Sequence, residues 1–219
     1  MKIRNRLLRL DTNTQGRDYV VGDIHGHVSR LLRQLDEIGF NRGQDRLICV
    51  GDLIDRGPES QQALALLQEP WFFSVLGNHE YLMVNALRYG NSEHKMLWLT
   101  NGGEWIASTR KDQWEAWFDQ IENLPLAIEV SNPDGVRYGI IHAEFPADHW
   151  SQLEMMDEKQ SQAAIWSRSQ FKSRSEHVVP GIDVVIHGHN VSDGELHLGN
   201  RFYIEPGAFQ GKEFIIKAL

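Results

Sequence analysis

Three apolar runs in the first third of the chain stop at polar loops of one kind. VVGDIHGH (20–27), VGDLIDRGP (50–58) and VLGNHE (75–80) each follow valine- or leucine-rich residues with a glycine and then acidic, amide or imidazole side chains. Two later runs, IIHAEF (140–145) and VVIHGHN (184–190), end in histidines. The residues so placed are Asp23, His25, Asp52, Asp55, Arg56, Asn78, His79, His142 and His189. One strand-end aspartate is ordinarily a loop cap, and one buried histidine a structural side chain. A set of them repeated at strand after strand asks for a chemical account.

Asp23, His25, Asp52, Asn78, His142 and His189 offer oxygen and nitrogen donors and no thiolate. Such a set suits Mn²⁺, Fe or Zn²⁺ better than soft ions. Six side chains exceed what one catalytic ion takes, but they fit two divalent ions with Asp52 bridging. Ions about 3.5–4 Å apart activate a shared water and stabilise both the attacking and leaving oxygens of a phosphoryl displacement. Solvent bridging them is hydroxide near neutral pH, so the expected reaction is direct attack by that hydroxide without a phosphoenzyme. The phosphate then needs countercharge, for which the planar arginine fork is apt; Arg56 follows Asp55, and Arg168 sits in the polar break WSRS. His79, next to Asn78, can protonate the leaving alkoxide if a carboxylate keeps it charged, and Asp55 is the natural partner.

These residues need elements to hold them. YVVGD (19–23) and RLICVGD (46–52) read as strands, and Val28, Leu31, Leu32, Leu35 and Ile38 between them fall at helical spacing before Gly39. That is a β-α-β unit. Pro58 opens a second helix through QQALALLQ, and WFFSVL (71–76) reads as a third strand followed by a GNHE loop. Ligands in open α/β sheets bind beyond the carboxyl ends of the strands, which places the three loops on one edge. Residues 81–122 read as mainly helical, with Trp98, Trp105, Trp114, Trp117 and Phe118 as core or as the wall of a cleft. LAIEV (126–130), SNPDG and VRYGIIHA (136–143) read as a hairpin, 146–165 as helical, and VVIHGH, ELHL, RFYIE and EFIIKAL as strands.

With 219 residues, 41% hydrophobic and 24% charged, the chain fits a single globular α/β domain spanning 1–219. A net charge of −8 argues against nucleic acid or an anionic membrane as partner. It is compatible with a phosphate site, because bound cations invert the local sign. Cys49 is the single cysteine, so no internal disulfide forms. MKIRNRLLRL is basic without the long apolar stretch of a secretory leader, and no run reaches 18 apolar residues. A cytoplasmic location is the expectation; the oligomeric state stays open.

GDIHGH (22–27), GDLIDRGP (51–58) and GNHE (77–80), in that order and at about 25–30 residue spacing, resemble the signature of the PPP metallophosphatases. IHAEFP (141–146), IWSRS (165–169) and HGHN (187–190) continue the pattern, and NGGEW (101–105) resembles the small bacterial and bacteriophage (lambda phosphatase-like) members. The resemblance runs from about Tyr19 to the C-terminus. It implies a calcineurin-like metallophosphoesterase fold, a β-sandwich flanked by helices, and a manganese-dependent serine/threonine protein phosphatase acting on phosphoproteins or phosphopeptides. Phosphotyrosine is left open. It implies one metal on Asp23, His25 and Asp52 and a second on Asp52, Asn78, His142 and His189. Arg56 and Arg168 would bind phosphate, and His79 with Asp55 would protonate the leaving group. His187 competes with His189 by strand alternation, which points both to one face; the resemblance selects His189. Asn190 in GHNV, Glu205-Pro206-Gly207 and Ala143-Glu144-Phe145 depart from the family pattern without removing a ligand.

Two other readings remain. A small-molecule phosphohydrolase, such as a symmetrical dinucleoside tetraphosphatase, shares GDIHG and GNHE. Those relatives carry alanine where this chain has Asp55, which favours phosphomonoester hydrolysis on proteins. A binding module that had lost catalysis would lack a ligand, an acid or an arginine, and none is missing.

Overall fold

The computed structural model describes residues 1–219. Its strands alternate strictly in what each side chain meets. On β2 (Asp18–Val21) and β3 (Arg46–Cys49), Val20 and Ile48 face one core, while Tyr19, Val21, Leu47 and Cys49 face another. This two-residue period follows from the pleat and makes both faces of the sheet apolar, as a sheet covered on both sides requires.

β4 (Phe72–Ser74) and the C-terminal β10 (Ile216–Ala218) complete a four-stranded sheet in the order β10-β2-β3-β4. β2, β3 and β4 are parallel, and β10 pairs antiparallel with β2 at the edge. α1 (Val28–Glu37) makes the first crossover and buries Val28, Leu31 and Leu35; α2 (Ser60–Leu66) makes the second and buries Ala63, Leu64 and Leu66. The expected β-α-β units are present, and their strands deliver the Asp23 and Asp52 loops and Asn78 to one edge.

A six-stranded sheet lies against the other face. β1 (Leu7–Leu10), β5 (Ala127–Ser131), β6 (Arg137–Ile141), β7 (Val184–His187), β8 (Leu196–Leu198) and β9 (Arg201–Tyr203) run in the order β1-β5-β6-β7-β9-β8. Val20, Ile48, Val50 and Val75 from one layer meet Ile128, Val130, Ile140, Ile186 and Ile204 from the other, a dry aliphatic seam between the sheets. The chain is therefore a mixed α/β sandwich with helices outside it. β5 and β6 form the expected antiparallel hairpin.

Three elements differ from the sequence reading. GNHE is not a loop: Gly77 caps α3 (Asn78–Leu87), so Asn78 and His79 sit in its first turn. β1 was not expected in the basic N-terminus; it pairs parallel with β5, and its short, partly buried run has no alternation strong enough to declare it. The helical stretch at 146–165 splits into a 3-10 turn, Trp150–Met155, and α6 (Glu158–Trp166), because Asp157 caps the second helix by accepting from Gln160 N at 2.8 Å. The aromatic region forms α4 (Ser92–Leu99), 3-10 turns at Gly103–Ser108 and Lys111–Gln113, and α5 (Trp114–Glu122). WSRSQF leads into α7 (Ser169–Lys172). No helix is long and apolar enough to cross a membrane.

The seam between the sheets sets how the loop-bearing strand ends face each other. Ile48→Ala, at a fully buried position in that seam, is expected to cost about 2–5 kcal/mol. Met96→Ala, at an exposed position on α4, should stay within about 0.5 kcal/mol. Denaturant unfolding of the two variants checks the difference; equal losses would contradict the assignment of the seam.

Candidate active site

Parallel strands point their carboxyl ends the same way. β2, β3 and β4 therefore present Asp23, Asp52 and Asn78 together, and β6 and β7 present His142 and His189 from the opposite layer. The turn that follows β3 is strained. Asp52, Asp55 and Arg56 have φ of 49°, 72° and 66°, and His25 and His189 have 43° and 59°. Non-glycine residues occupy this left-handed region rarely, and such strain persists only where the surroundings over-determine it.

The over-determination is visible. Ile24 N and His25 N both donate to Asp52 O at 3.1 and 2.8 Å, and Gly26 N donates to Leu53 O at 2.7 Å. The buried Glu80 carboxylate accepts from Asp52 N (3.0 Å), Leu53 N (2.8 Å), Ile54 N (3.2 Å) and Gly77 N (3.2 Å). Gly77 has to be glycine: a Cβ there would lie 2.2 Å from both Asp52 N and Asp52 Oδ1. α3 is thereby pressed end-on against the Asp52 loop, and His79 N donates to Asp52 Oδ1 at 3.0 Å.

Two clusters of donors meet at Asp52. His142 Nδ1 bonds the Val50 carbonyl at 2.8 Å, which commits the proton to that nitrogen and turns the Nε2 lone pair toward Asn78 Oδ1 (3.0 Å) and Asp52 Oδ2 (3.3 Å). His25 repeats the device, with Nδ1 on the Ile54 carbonyl at 2.9 Å and Nε2 3.8 Å from Asp52 Oδ2. His189 Nε2 is buried with no hydrogen-bond partner. Its ligating atom lies within 4.8 Å of those of Asp52 and His142, as those of His25, Asp52 and His79 lie near one another. Asp23 closes the other flank: its oxygens take His189 N at 3.0 and 3.2 Å, and Oδ1 lies 3.9 Å from His142 Nδ1.

Buried carboxylate and imidazole atoms converge here, with the Asn78 amide oxygen beside them, and these are the donor types a divalent cation takes. Charge agrees with this. Burial, then Glu205 and Asp52, push the Asp23 carboxyl well above its usual range, while burial followed by Asp52 brings Glu80 to about 7. Burial, followed by the nearby His142, drives His189 down to about 2, so its imidazole is neutral, the form that can ligate a cation. Clustered buried carboxylates call for positive charge that the neighbouring side chains supply only in part. Two clusters sharing Asp52 fit two divalent ions, while Asp23 is in neither cluster and borders them beside His142 and His189.

The remaining groups surround that centre. His79 Nδ1 bonds Asp55 Oδ2 at 2.6 Å, both side chains being buried. Burial opposes the imidazolium, but Asp52 and Asp55 outweigh it and raise the His79 pKa. Arg56 donates to Nε2 of His25 (2.8 Å) and lies 3.1 Å from Nε2 of His79. The second contact suits only a neutral His79, and the shorter, buried Asp55 bond takes precedence over it. Arg56 is exposed at the mouth, its guanidinium 4.3 Å from the Phe209 ring centroid. Arg168 Nη1 donates to His189 O (2.9 Å) and Asn190 Oδ1 (3.1 Å). A cavity of about 140 Å³ lies over these groups, with Leu97, Trp166, Val191 and Phe209 on its apolar rim.

Residues 19–201 match the calcineurin-like phosphoesterase family. The chain belongs to that family. It is 35% identical over 211 residues to serine/threonine-protein phosphatase 1 of Salmonella typhimurium, covering 95% of this chain and 94% of the relative. It is 36% identical over 197 residues to serine/threonine-protein phosphatase 2 of the same organism, covering 87% of each. A symmetrical bis(5'-nucleosyl)-tetraphosphatase of Methylococcus capsulatus matches at 30% over 131 residues, 58% of this chain and 43% of the relative. A solved structure of a candidate diadenosine tetraphosphatase shares the fold, with a TM-score of 0.71 at 20% identity over 98% of this chain and 94% of that one.

In this phosphoesterase the three departures noted in the sequence all have work near the site. Glu205 accepts from Asp23 N (2.8 Å) and from Gly207 N (2.7 Å), joining the Asp23 loop to the segment that carries Phe209. Glu144 accepts from Ser167 Oγ (2.5 Å), Ser169 Oγ (3.0 Å) and Phe171 N (2.9 Å), and so holds the turn that presents Arg168. Asn190 touches Arg168 directly. Glu144 and Asn190 lie inside quoted motifs, whereas Glu205 stands at the end of the RFYIE run, away from any of them. Trp98 and Trp105 went unassigned to the site, yet their indole N–H groups donate to Asp55 at 2.8 and 2.7 Å.

His187 stands outside both clusters. Its ring stacks on Tyr203, with centroids 4.9 Å apart, and neither ring nitrogen has a hydrogen-bond partner. Burial, aided by Arg201, lowers its pKa from 6.5 to about 3. The unfolded chain binds this proton below about pH 6.5, and the folded chain only near 3. The neutral ring therefore favours the fold fully above pH 6.5, and that contribution is lost as pH falls toward 3. His187→Phe should flatten the fall in unfolding free energy between pH 7 and pH 4; an unchanged slope would assign the acid sensitivity elsewhere.

Proposed function

We propose that this metallophosphoesterase removes phosphate from phosphoserine and phosphothreonine in proteins. The observation that carries the reading is the buried 2.6 Å bond between His79 Nδ1 and Asp55. A serine or threonine alkoxide is a poor leaving group, and a positioned, charged imidazole is what its departure needs. Similarity to two bacterial serine/threonine phosphatases over most of the chain supports it.

Asp23, His25 and Asp52 would hold one divalent ion, and Asp52, Asn78, His142 and His189 the second. Such ions lower the pKa of water and offset charge developing on phosphoryl oxygens. Mn²⁺ suits the oxygen- and nitrogen-only donor set, as do Fe and Zn²⁺. Arg56 and Arg168 grip the non-bridging oxygens from opposite sides of the mouth, and Arg56 leaves His25 to do so. Asp55 keeps His79 oriented with Nε2–H toward the cavity, where the leaving oxygen takes the proton. The lone, buried Cys49 is consistent with a reducing cytoplasm.

A second reading, hydrolysis of a symmetrical dinucleoside tetraphosphate, is favoured by the partial match to that relative and by the fold neighbour. A nucleotide phosphate is a better leaving group than an alkoxide and makes less use of the Asp55–His79 pair.

Chelator-stripped protein with Mn²⁺ restored is expected to release phosphate from a phosphothreonine peptide and from p-nitrophenyl phosphate faster than it cleaves a dinucleoside tetraphosphate. His79→Asn should slow the peptide by on the order of 10²-fold, with a loss on the aryl phosphate at least about tenfold smaller. Activity confined to the dinucleotide would overturn the substrate class; equal losses would remove His79 as the acid.

A further inference from the structure

Asp55 is fully buried and has no lysine or arginine among its hydrogen-bond partners. Its Oδ1 accepts from Trp105 Nε1 at 2.7 Å; its Oδ2 accepts from Trp98 Nε1 at 2.8 Å and from His79 Nδ1 at 2.6 Å. Indole is a donor without charge and without acceptor capacity. It can fix a carboxylate without competing with the imidazolium for its negative charge, which an arginine at the same place would do.

α4, which carries Trp98, and the NGGEW turn, which carries Trp105, deliver these donors. Gly103 lies on the Trp98 ring, where a Cβ would fall 2.4 Å from the indole. Trp98 and Trp105 meet edge to face, with ring centroids 6.5 Å apart at 85°, and Trp105 packs on Trp117 of α5 at 5.8 Å. Both indoles are thus held by the helical segment 92–122 rather than by the loop they serve.

We propose that Trp98 and Trp105 are positioning residues for proton transfer, clamping Asp55 so that it orients His79 toward the leaving oxygen. This rests on the reading of His79 as general acid. Their contribution is then specific to substrates that need the proton, which a merely structural tryptophan would not be.

The test compares kcat on a phosphothreonine peptide and on p-nitrophenyl phosphate for the Mn²⁺-loaded wild type, Trp105→Phe, Trp98→Phe, His79→Asn and the Trp105→Phe/His79→Asn double variant. Trp105 is the main probe because it is only partly buried; Trp98→Phe opens a cavity in the core. The ratio between substrates is independent of how much protein folds. Trp105→Phe and Trp98→Phe are each expected to shift that ratio against the peptide by about tenfold, the scale of one lost bond to a charged acceptor. Trp105→Phe should cost the peptide reaction nothing further once His79 is asparagine. An unchanged ratio, or a loss that multiplies in the His79→Asn background, overturns the proposal. If His79→Asn itself leaves the ratio unchanged, the general-acid reading has failed, and the positioning role falls with it.

Discussion

The Glu80 carboxylate gathers four backbone N–H groups from two different loops and leaves them no freedom. Three belong to the turn after β3 and the fourth to Gly77. A carboxylate that accepts several backbone N–H bonds in a dry interior is among the stronger fixed interactions a protein makes. Here it holds Asp52 in a left-handed conformation and seats the first turn of α3 against it. Asn78 and His79 take their places from that contact. The strain at Asp52 persists because Glu80 and the carbonyl of Asp52 are both committed, and that at Asp55 because its N–H is tied to Ser60 Oγ and its carbonyl to Gly57 N.

Around that anchor the site is assembled from both layers of the sandwich. One sheet contributes the Asp23 and Asp52 loops and the first turn of α3 with Asn78; the other contributes His142 and His189. Backbone carbonyls of Val50 and Ile54 orient His142 and His25, so the lone pairs face Asp52. Ring orientation fixed by a second partner is how imidazole becomes a dependable ligand. A further ring of carboxylates, Glu205 and Glu144, ties the Asp23 loop and the Arg168 turn to the remainder of the chain. Of the two arginines, Arg56 is the exposed one, resting on the Phe209 ring, while Arg168 is held by the His189 carbonyl and Asn190.

Much of this was legible in the residues. Glycine followed by a polar side chain at the end of an apolar run marks a strand that stops at a site, and three such ends in order located one edge of a parallel sheet. Asp55 beside Arg56, and His79 beside Asn78, were adjacent in sequence and remain so in space. What was not legible depends on long-range contacts. Pairing of β1 with β5 joins residues more than a hundred positions apart, and nothing in Leu7–Leu10 alone reports it. Glu144, Asn190 and Glu205 looked like deviations from a pattern; only the fold shows which N–H and guanidinium groups they serve. The tryptophans were read as packing because indole is mostly apolar, and a single N–H per ring carries no positional signal in a sequence.

Two divalent ions at this site require Asp52 to be shared by two cation sites, one toward Asp23 and His25 and the other toward Asn78, His142 and His189. Crystals grown with Mn²⁺, with diffraction recorded on both sides of the manganese absorption edge, test it most directly. Two anomalous peaks flanking Asp52, about 3.5–4 Å apart, with these side chains around them, are expected. A single peak, or a second one that does not touch Asp52, would contradict it.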